Sequence, residues 1–206
     1  MKEYPSIENR IRDIVRDKQI YAFDKLDGSQ IRSEWDRKKM FWKFGTRHQM
    51  LDEQNDTYGE AVTLIKEKYE KELHDIFKKN KFMKTICFFE FYGKNSFAGR
   101  QANEKHTVTL FDISIHKKGI LEPINFLKMV GHLDIPKMLY MGNANKLFIE
   151  SVLTRELDNM SFEGVVCKGQ YITPGVPLMF KIKSREWLEK LKYFCHDDEL
   201  MFEKLK

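Results

Sequence analysis

Cysteine is scarce in this 206-residue chain, which contains three: Cys87, Cys167 and Cys195. They lie far apart, with no C-x-x-C pair and no histidine at a metal-ligand spacing. This pattern argues against a zinc site and against a framework of disulfides. We therefore expect three reduced thiols, as in an intracellular protein.

Long apolar runs are also lacking. No stretch of the sequence approaches the length of a membrane span, and the first residues, MKEYPSIENRIRDIVRD, are too polar for a signal peptide. Hydrophobic residues make up 42% of the chain and charged residues 33%, which is typical of a globular protein with a charged surface. The net charge of +5 permits a polyanionic partner but does not require one. The expectation is a soluble cytoplasmic protein.

The sequence has no internal repeat, no low-complexity segment and no βαβ alternation. Short strands dominate its middle, with helices between and after them, which favours an α+β fold of largely antiparallel sheets with flanking helices. The predicted strands are Ile20–Phe23, Gln30–Trp35, Met40–Phe44, Thr85–Phe91, Thr107–Ile115, Lys146–Ile149, Gly164–Lys168 and Leu178–Lys183. The predicted helices are Ser6–Lys18, Tyr58–Lys79, Asn125–Gly131, Ser151–Met160 and Arg185–Leu205.

One lysine, Lys25, stands at a tight turn between two apolar runs in the stretch YAFDKLDGSQIRSEW. Gly28 relaxes the backbone there, and Asp27 lies two residues after the lysine. A lysine attacks only as the free amine, so a nucleophilic role requires burial or cationic neighbours that lower its pKa. A polar surface turn is the alternative interpretation of this stretch taken alone.

Further charged residues lie within apolar strands, where a charge is costly unless it is paired or liganded. Glu90 is surrounded by aromatic residues in CFFEFYG, and Asp112 lies in TLFDISI. Glu163 opens SFEGVVCKG, and Lys181 and Lys183 share one face of the strand MFKIKS by the period-two rule. Each of these residues alone could simply point into solvent.

Together, these stretches resemble the motifs of the covalent nucleotidyltransferases, in the order in which that family carries them. The sequence is most similar to ATP-dependent polynucleotide ligases of the phage RNA-ligase type. The matching stretches are Lys25-Leu26-Asp27-Gly28, Phe89-Glu90-Phe91-Tyr92-Gly93, Leu110-Phe111-Asp112-Ile113, Glu163-Gly164-Val165-Val166-Cys167-Lys168 and Phe180-Lys181-Ile182-Lys183.

This resemblance implies an ATP-dependent RNA ligase with an antiparallel nucleotidyltransferase core, similar to an ATP-grasp-like ligase. Lys25 would attack the α-phosphate of ATP and hold AMP. The nucleotide would be bound by Asp27, Arg47, Glu90, Phe111, Glu163, Lys181 and Lys183. Among these, Glu90 would contact the ribose, Phe111 would stack on adenine unless Val108 takes that place, and the two lysines would bind the α-phosphate. Glu163 would act through Mg²⁺ or Mn²⁺, and the partner would be RNA, or DNA, with 5′-phosphate and 3′-hydroxyl ends.

The resemblance also implies one adenylyltransferase domain over residues 1–206, in which 185–206 form a C-terminal helix. The oligonucleotide-binding fold of DNA ligases and capping enzymes is not expected, since 23 residues follow Lys183. A partner chain could supply nucleic-acid binding. A small DNA ligase and a non-catalytic module that binds nucleotide or RNA ends remain open alternatives.

Other conspicuous residues have simpler interpretations. Trp35, Trp42 and Trp187 are expected to be core anchors rather than platforms for base stacking. The run of lysines at the end of the long helix is explained equally well by the helix dipole and by contact with a nucleic-acid backbone; it comprises Lys78, Lys79, Lys81 and Lys84.

Overall fold

The computed structural model describes residues 1–7, 18–94, 96–97, 104–196 and 198–206. Within these ranges the chain forms ten strands and five helices. The strands are β1 (Gln19–Asp24), β2 (Ser29–Asp36), β3 (Met40–Gly45), β4 (Met50–Leu51), β5 (Lys84–Tyr92), β6 (Thr107–Ile115), β7 (Gly119–Ile120), β8 (Met138–Asn143), β9 (Gly164–Thr173) and β10 (Val176–Lys183). The helices are α1 (Gly59–Lys79), α2 (Pro123–Val130), α3 (Lys146–Leu153), α4 (Arg185–Phe194) and α5 (Glu199–Leu205).

The chain divides into two compact units. Unit 1 comprises residues 1–5, 27–136 and 171–177, and unit 2 comprises 6–26, 137–170 and 178–206. The predicted α+β class with antiparallel sheets is confirmed, since the strands pair antiparallel in both units. No helix in the described ranges is both long enough and apolar enough to cross a membrane.

Unit 1 is built on a six-stranded sheet with the order β4-β3-β2-β5-β6-β7. Helix α1 covers one face of this sheet, because its apolar side chains recur at helical spacing and are buried. Those side chains include Ile65, Tyr69, Leu73 and Phe77, which join Trp35 and the other inward residues of the strands in one core. Because side chains alternate along a strand, the residues between them lie on the opposite face, called here the outer face.

Unit 2 contains a four-stranded sheet with the order β10-β9-β1-β8, apart from the hairpin tip 171–177, which belongs to unit 1. Its core gathers apolar residues from β1, β9, β10 and α3. Strand β1 is central, with β8 and β9 antiparallel on its two sides. Residues that are distant in the sequence therefore meet around the end of β1.

The predicted elements differ from the structure mainly around α3. The predicted strand Lys146–Ile149 is the first half of this helix, and the predicted helix Ser151–Met160 contains only its end. The side chain of Asn145 accepts a hydrogen bond from the Phe148 amide at 2.9 Å and so caps the helix. A short apolar run such as LFI fits either a strand or a helix, and the cap decides for the helix.

Two further differences concern β8 and the C-terminal helix. Strand β8 was not predicted, because its sequence MLYMGN does not alternate between apolar and polar residues. The predicted C-terminal helix is two helices, α4 and α5, with Cys195 and Asp198 as their capping residues. Most of the helix expected at Ser6–Lys18 lies outside the described residues.

Candidate active site

Lys25 follows directly after β1, and hydrogen bonds hold its backbone in place. The Lys25 amide donates to the Gly164 carbonyl at 2.9 Å, and the Lys25 carbonyl accepts a hydrogen bond from the Ser161 hydroxyl at 3.3 Å. The preceding residue, Asp24, is buried and accepts a hydrogen bond from the Ser161 amide at 2.8 Å. The Lys25 side chain therefore starts from a fixed position at the end of the central strand.

The carboxylate of Glu163 binds two lysines of unit 2. Its Oε2 lies 2.8 Å from Lys25 Nζ, and its Oε1 lies 3.0 Å from Lys183 Nζ. The side chains of Glu163 and Lys183 are 4% and 7% exposed, whereas that of Lys25 is 21% exposed. Of the three groups, the Lys25 amine is thus the one most open to a bound substrate.

Glu163 reaches this position because β9 and β10 approach closely just beside it. Gly164 has φ = +140°, and a Cβ there would lie 2.0 Å from the Ile182 carbonyl oxygen, so only glycine fits. Ser184 holds the segment from the other side: its amide donates to Glu163 O at 2.9 Å and its hydroxyl to Phe162 O at 2.7 Å. The same serine hydroxyl accepts the Trp187 amide and caps α4.

Lys183 is a buried cation. Burial lowers the pKa of its ammonium group to about 8; the Glu163 carboxylate opposes this shift, and the charge of Lys25 adds to it. Lys183 Nζ also lies 3.5 Å from the centre of the Trp187 ring. Lys181 precedes it by two residues on the same face of β10, is half-buried, and lowers the pKa of Lys183 further by its charge.

Glu90 and Phe111 lie in unit 1, on the outer face of the six-stranded sheet. The register between β5 and β6 shifts after Phe88, which faces Asp112, whereas Phe89 faces Leu110. Phe111 is therefore the extra residue of a β-bulge, and its ring stacks against Phe88 with centroids 6.2 Å apart. Phe88 and Glu90 share this face because they are two residues apart on β5.

Val108, the alternative to Phe111, lies in the core of unit 1. It is fully buried, faces Phe91 across the sheet, and packs with the side chains beneath α1. Val108 is thus enclosed in the core, whereas Phe111 is half-buried on the outer face.

Tyr4 contributes to the surroundings of Phe111, and sequence reasoning missed it. Its hydroxyl donates to Asp112 Oδ2 at 2.7 Å, and its ring meets Phe111 edge-on with centroids 5.1 Å apart. Burial, together with the Asp112 carboxylate, raises the pKa of Tyr4 well above its ordinary value, so the hydroxyl stays protonated as a donor. The Tyr-Pro pair in a polar terminal segment contains no local signal of this long-range contact.

The remaining predicted residues are less enclosed. Arg47 is exposed in the loop between β3 and β4, where its carbonyl accepts a hydrogen bond from Arg32 at 3.4 Å. Asp27 is half-buried at the point where the chain passes from unit 2 to unit 1. The structure thus brings Lys25, Glu163 and Lys183 together in unit 2, and places Glu90 and Phe111 on one sheet face in unit 1.

Solved structures of one enzyme share this fold. They are forms of the Naegleria gruberi RNA ligase. An apo mutant has a TM-score of 0.65 and 17% identity, with 88% of this chain and 53% of the ligase chain covered. A mutant with ATP and Mn has a TM-score of 0.63, 18% identity and coverages of 86% and 52%, and a form with pyrophosphate has a TM-score of 0.64, 18% identity and coverages of 88% and 54%. The chain has the fold of a nucleotidyltransferase-type RNA ligase.

The likeness to this RNA ligase fold is one of architecture. The chain spans about half the length of the matched ligase structures. No protein-family model matches the sequence, and no curated protein sequence matches it. The chemistry of this chain therefore has to be argued from its own residues.

Proposed function

We propose that this protein is an ATP-dependent RNA ligase that works through a lysyl-AMP intermediate. The observation that carries the proposal is the contact of Lys25 with Glu163, whose second carboxylate oxygen holds Lys183, in a chain with an RNA ligase fold. This arrangement places an amine, a carboxylate and a second cation within one hydrogen-bonded group. Phosphoryl transfer to an amine uses the amine as nucleophile and a cation to stabilise the phosphoryl oxygens.

In the first step, Lys25 Nζ attacks the α-phosphorus of ATP. Lys25 first gives up its ammonium proton to solvent; the new N–P bond then forms as the bond from the α-phosphorus to the bridging oxygen of pyrophosphate breaks, and the nitrogen loses a second proton to solvent. The charges of Lys181 and Lys183 stabilise the negative charge that grows on the phosphoryl oxygens. Lys183 is suited to this role because it is buried, where electrostatic interactions are stronger than in water.

The proposal assigns the other parts of the nucleotide to further residues. Glu90 supplies a carboxylate for the ribose hydroxyls, and the exposed part of Phe111 supplies an aromatic surface for adenine. Arg47 supplies an exposed guanidinium for a phosphate, and Asp27 a carboxylate close to Lys25 in the sequence.

A divalent metal fits this site as a partner shared between protein and nucleotide. The described residues contain no group of three or more histidine, cysteine or acidic side chains that would enclose a metal. Mg²⁺ is commonly held by one or two carboxylates together with substrate phosphates, and Glu163 provides one buried carboxylate. When bound, the metal would neutralise phosphate charge and orient the leaving pyrophosphate.

Two further transfers would complete ligation. The 5′-phosphate of one RNA end attacks the phosphorus of lysyl-AMP, the Lys25 nitrogen takes up a proton from solvent, the N–P bond breaks, and Lys25 leaves as an amine. The 3′-hydroxyl of the second end then attacks the activated 5′-phosphate, and AMP leaves. RNA is proposed as substrate because the matched structures are of an RNA ligase.

The test is labelling with ATP that carries ³²P at the α-phosphate, after pretreatment with pyrophosphate to remove bound AMP. We expect label that survives denaturation in the wild type and in the control Lys146→Ala, which changes an exposed lysine of the same unit. Lys25→Arg should take up no label, because arginine keeps the positive charge for Glu163 but does not deprotonate to attack.

The alternatives have distinct outcomes in the same assay. Label in Lys25→Arg would disprove Lys25 as the nucleophile. No label and no added AMP mass in the wild type would leave a module that binds nucleotide or RNA ends. If the wild type is labelled, nicked substrates with a ribose or a deoxyribose at the 3′ end would distinguish an RNA ligase from a DNA ligase.

A further inference from the structure

A cavity of about 350 Å³ opens on unit 1, on the same outer face as Glu90 but at the other end of the strands. Its floor includes Glu34, Ile86 and Ser114, which the strand register places side by side on β2, β5 and β6. From Glu90 to Ile86 the distance is about 13 Å along β5, from the rise per residue of a strand. The cavity is therefore separate from the proposed nucleotide-binding residues of this sheet.

One wall of the cavity is rigid because two hairpins meet there without side chains between them. A Cβ on Gly119, after β6, would lie 2.2 Å from the carbonyl oxygen of Gly175, between β9 and β10. Both glycines have positive φ, +85° and +77°, and the Ile120 amide donates to Gly175 O at 3.0 Å. This contact holds the exposed residues Lys117 and Lys118 at the edge of a preformed cavity.

The rim of the cavity is strongly basic. Lys2, Lys84, Lys117 and Lys118 line it and are exposed, together with His116. Glu34 is the one carboxylate among the described lining residues, and Lys43 faces it on the neighbouring strand. The balance of charge around this cavity favours an anionic ligand.

An exposed tryptophan lies on β3, the strand paired with the strand that carries the cavity residue Glu34. Glu34 faces Lys43, whereas Trp35 faces Phe41, so Trp42 is the extra residue of a bulge in β3. Its ring is 36% exposed, with Lys39 Nζ and Lys43 Nζ 4.3 Å and 4.0 Å from its centre. The expectation that Trp42 is a core anchor is wrong, although it holds for the buried Trp35 and Trp187.

We propose that this outer face binds a single-stranded segment of the RNA substrate, with a base stacked on Trp42 and backbone phosphates at the lysine rim of the cavity. An aromatic side chain among lysines is the combination by which proteins hold single strands, because every base has a face to stack. The cavity also has the volume to accept a nucleoside-sized group. The inference rests on the proposed function for the identity of the ligand as RNA.

The test is the fluorescence anisotropy of a labelled single-stranded RNA with a 5′-hydroxyl end, which cannot be adenylylated, titrated at several salt concentrations. The double variant Lys117→Glu, Lys118→Glu should bind at least about tenfold more weakly, and its salt slope should fall by about 0.7 for each lysine that contacts a phosphate. Trp42→Ala should weaken binding by about tenfold through loss of stacking. Neither change should affect labelling of Lys25 by ATP.

The matched control is the double variant Lys78→Glu, Lys79→Glu, which makes the same change in charge at the end of α1. It should bind RNA within about twofold of the wild type. Equal weakening of RNA binding in both double variants would show general attraction by net charge and overturn the proposed site. Wild-type affinity in the Lys117→Glu, Lys118→Glu variant would also overturn it. Displacement of the RNA by polyglutamate with no effect of Trp42→Ala would indicate an acidic-peptide surface instead.

Failure of this inference is distinguishable from failure of the proposed function. Labelling of Lys25 needs no RNA, and anisotropy with an inert RNA needs no catalysis. If the wild type forms no lysyl-AMP but the cavity variants bind RNA more weakly than the wild type, the RNA-binding surface is supported and the ligase proposal is rejected.

Discussion

Glu163 holds two ammonium groups with one carboxylate, and this makes the protonation of Lys183 important for the chemistry. Lys183 is charged below its pKa of about 8 and loses its charge as the pH rises through that value. An ordinary exposed lysine would keep its charge for about two further pH units. Burial strengthens the electrostatic interactions of the Lys183 ammonium group, and it also limits the pH range in which that group is charged.

From this we predict a falling alkaline limb in the rate of Lys25 adenylylation. In the wild type, kcat/KM for ATP should decline above about pH 8, because Lys183 then loses the charge that we propose stabilises the phosphoryl oxygens. Lys183→Arg should move this decline beyond the range in which the protein stays folded, because arginine remains protonated. The measurement is single-turnover labelling from pH 6 to pH 10, with Lys146→Arg as control; an unchanged limb in Lys183→Arg would assign it to another group.

Tyr4 connects the start of the chain with the bulge of β6. Replacing it with phenylalanine removes one hydroxyl and leaves the buried carboxylate of Asp112 without that donor. We predict a loss of about 1–3 kcal/mol in the free energy of unfolding, measured by urea denaturation.

Tyr4→Ala should have a larger effect, because the edge-on support of Phe111 is lost as well. KM for ATP in the labelling reaction should rise more in Tyr4→Ala than in Tyr4→Phe if Phe111 binds the base. Equal KM values in both variants would mean that Tyr4 stabilises the fold without positioning Phe111.

At the scale of elements, the approach of β9 and β10 decides where Glu163 points. We predict that Gly164→Ala lowers the free energy of unfolding by about 2 kcal/mol or more, because alanine is strained at φ = +140° and its Cβ meets the Ile182 carbonyl. The same shift should displace Glu163 and reduce lysyl-AMP formation by more than about tenfold.

Gly169→Ala is the matched control on the same strand. A Cβ there would lie 3.2 Å from the flexible Leu178 side chain and 3.3 Å from the Gln19 carbonyl oxygen, and Gly169 has no positive φ that would strain alanine. Its effect on thermal unfolding and on labelling should be clearly smaller than that of Gly164→Ala. A similar loss in both variants would show that β9 tolerates no added side chain and would remove the special role of Gly164.

At the scale of the whole molecule, the two units differ in how their cores are assembled from the sequence. Every residue of the unit 1 core lies between Ile31 and Val130, in one continuous stretch. The unit 2 core combines Ile20 and Ala22 of β1 with residues from Ala144 to Ile182. The chain passes between the units five times.

We therefore predict that the fragment 27–136 folds on its own, whereas 137–206 does not. The first fragment keeps α1, α2 and the complete six-stranded sheet, while the second lacks β1, the strand between β8 and β9. Circular dichroism should show a cooperative thermal transition for 27–136, with a near-ultraviolet signal from the buried Trp35. A cooperative transition in 137–206, or none in 27–136, would contradict this division.

The sequence by itself determined the fold class and the order of the motifs, because alternation and helical periodicity are local and several charged residues stand within apolar strands. Helix α1 and most strands were predictable for that reason. Helix α3 was not, since its short apolar run fits two periods and the Asn145 cap decides between them.

Only the tertiary structure decided which charges meet. Lys25 and Glu163 are 138 residues apart and Tyr4 and Asp112 are 108 apart, so no local pattern could pair them. The bulges that place Phe111 and Trp42 on the outer face are likewise set by the register between strands. Long-range packing chooses the partners of each residue, and this is why the candidate residues could be named from the sequence while their contacts could not.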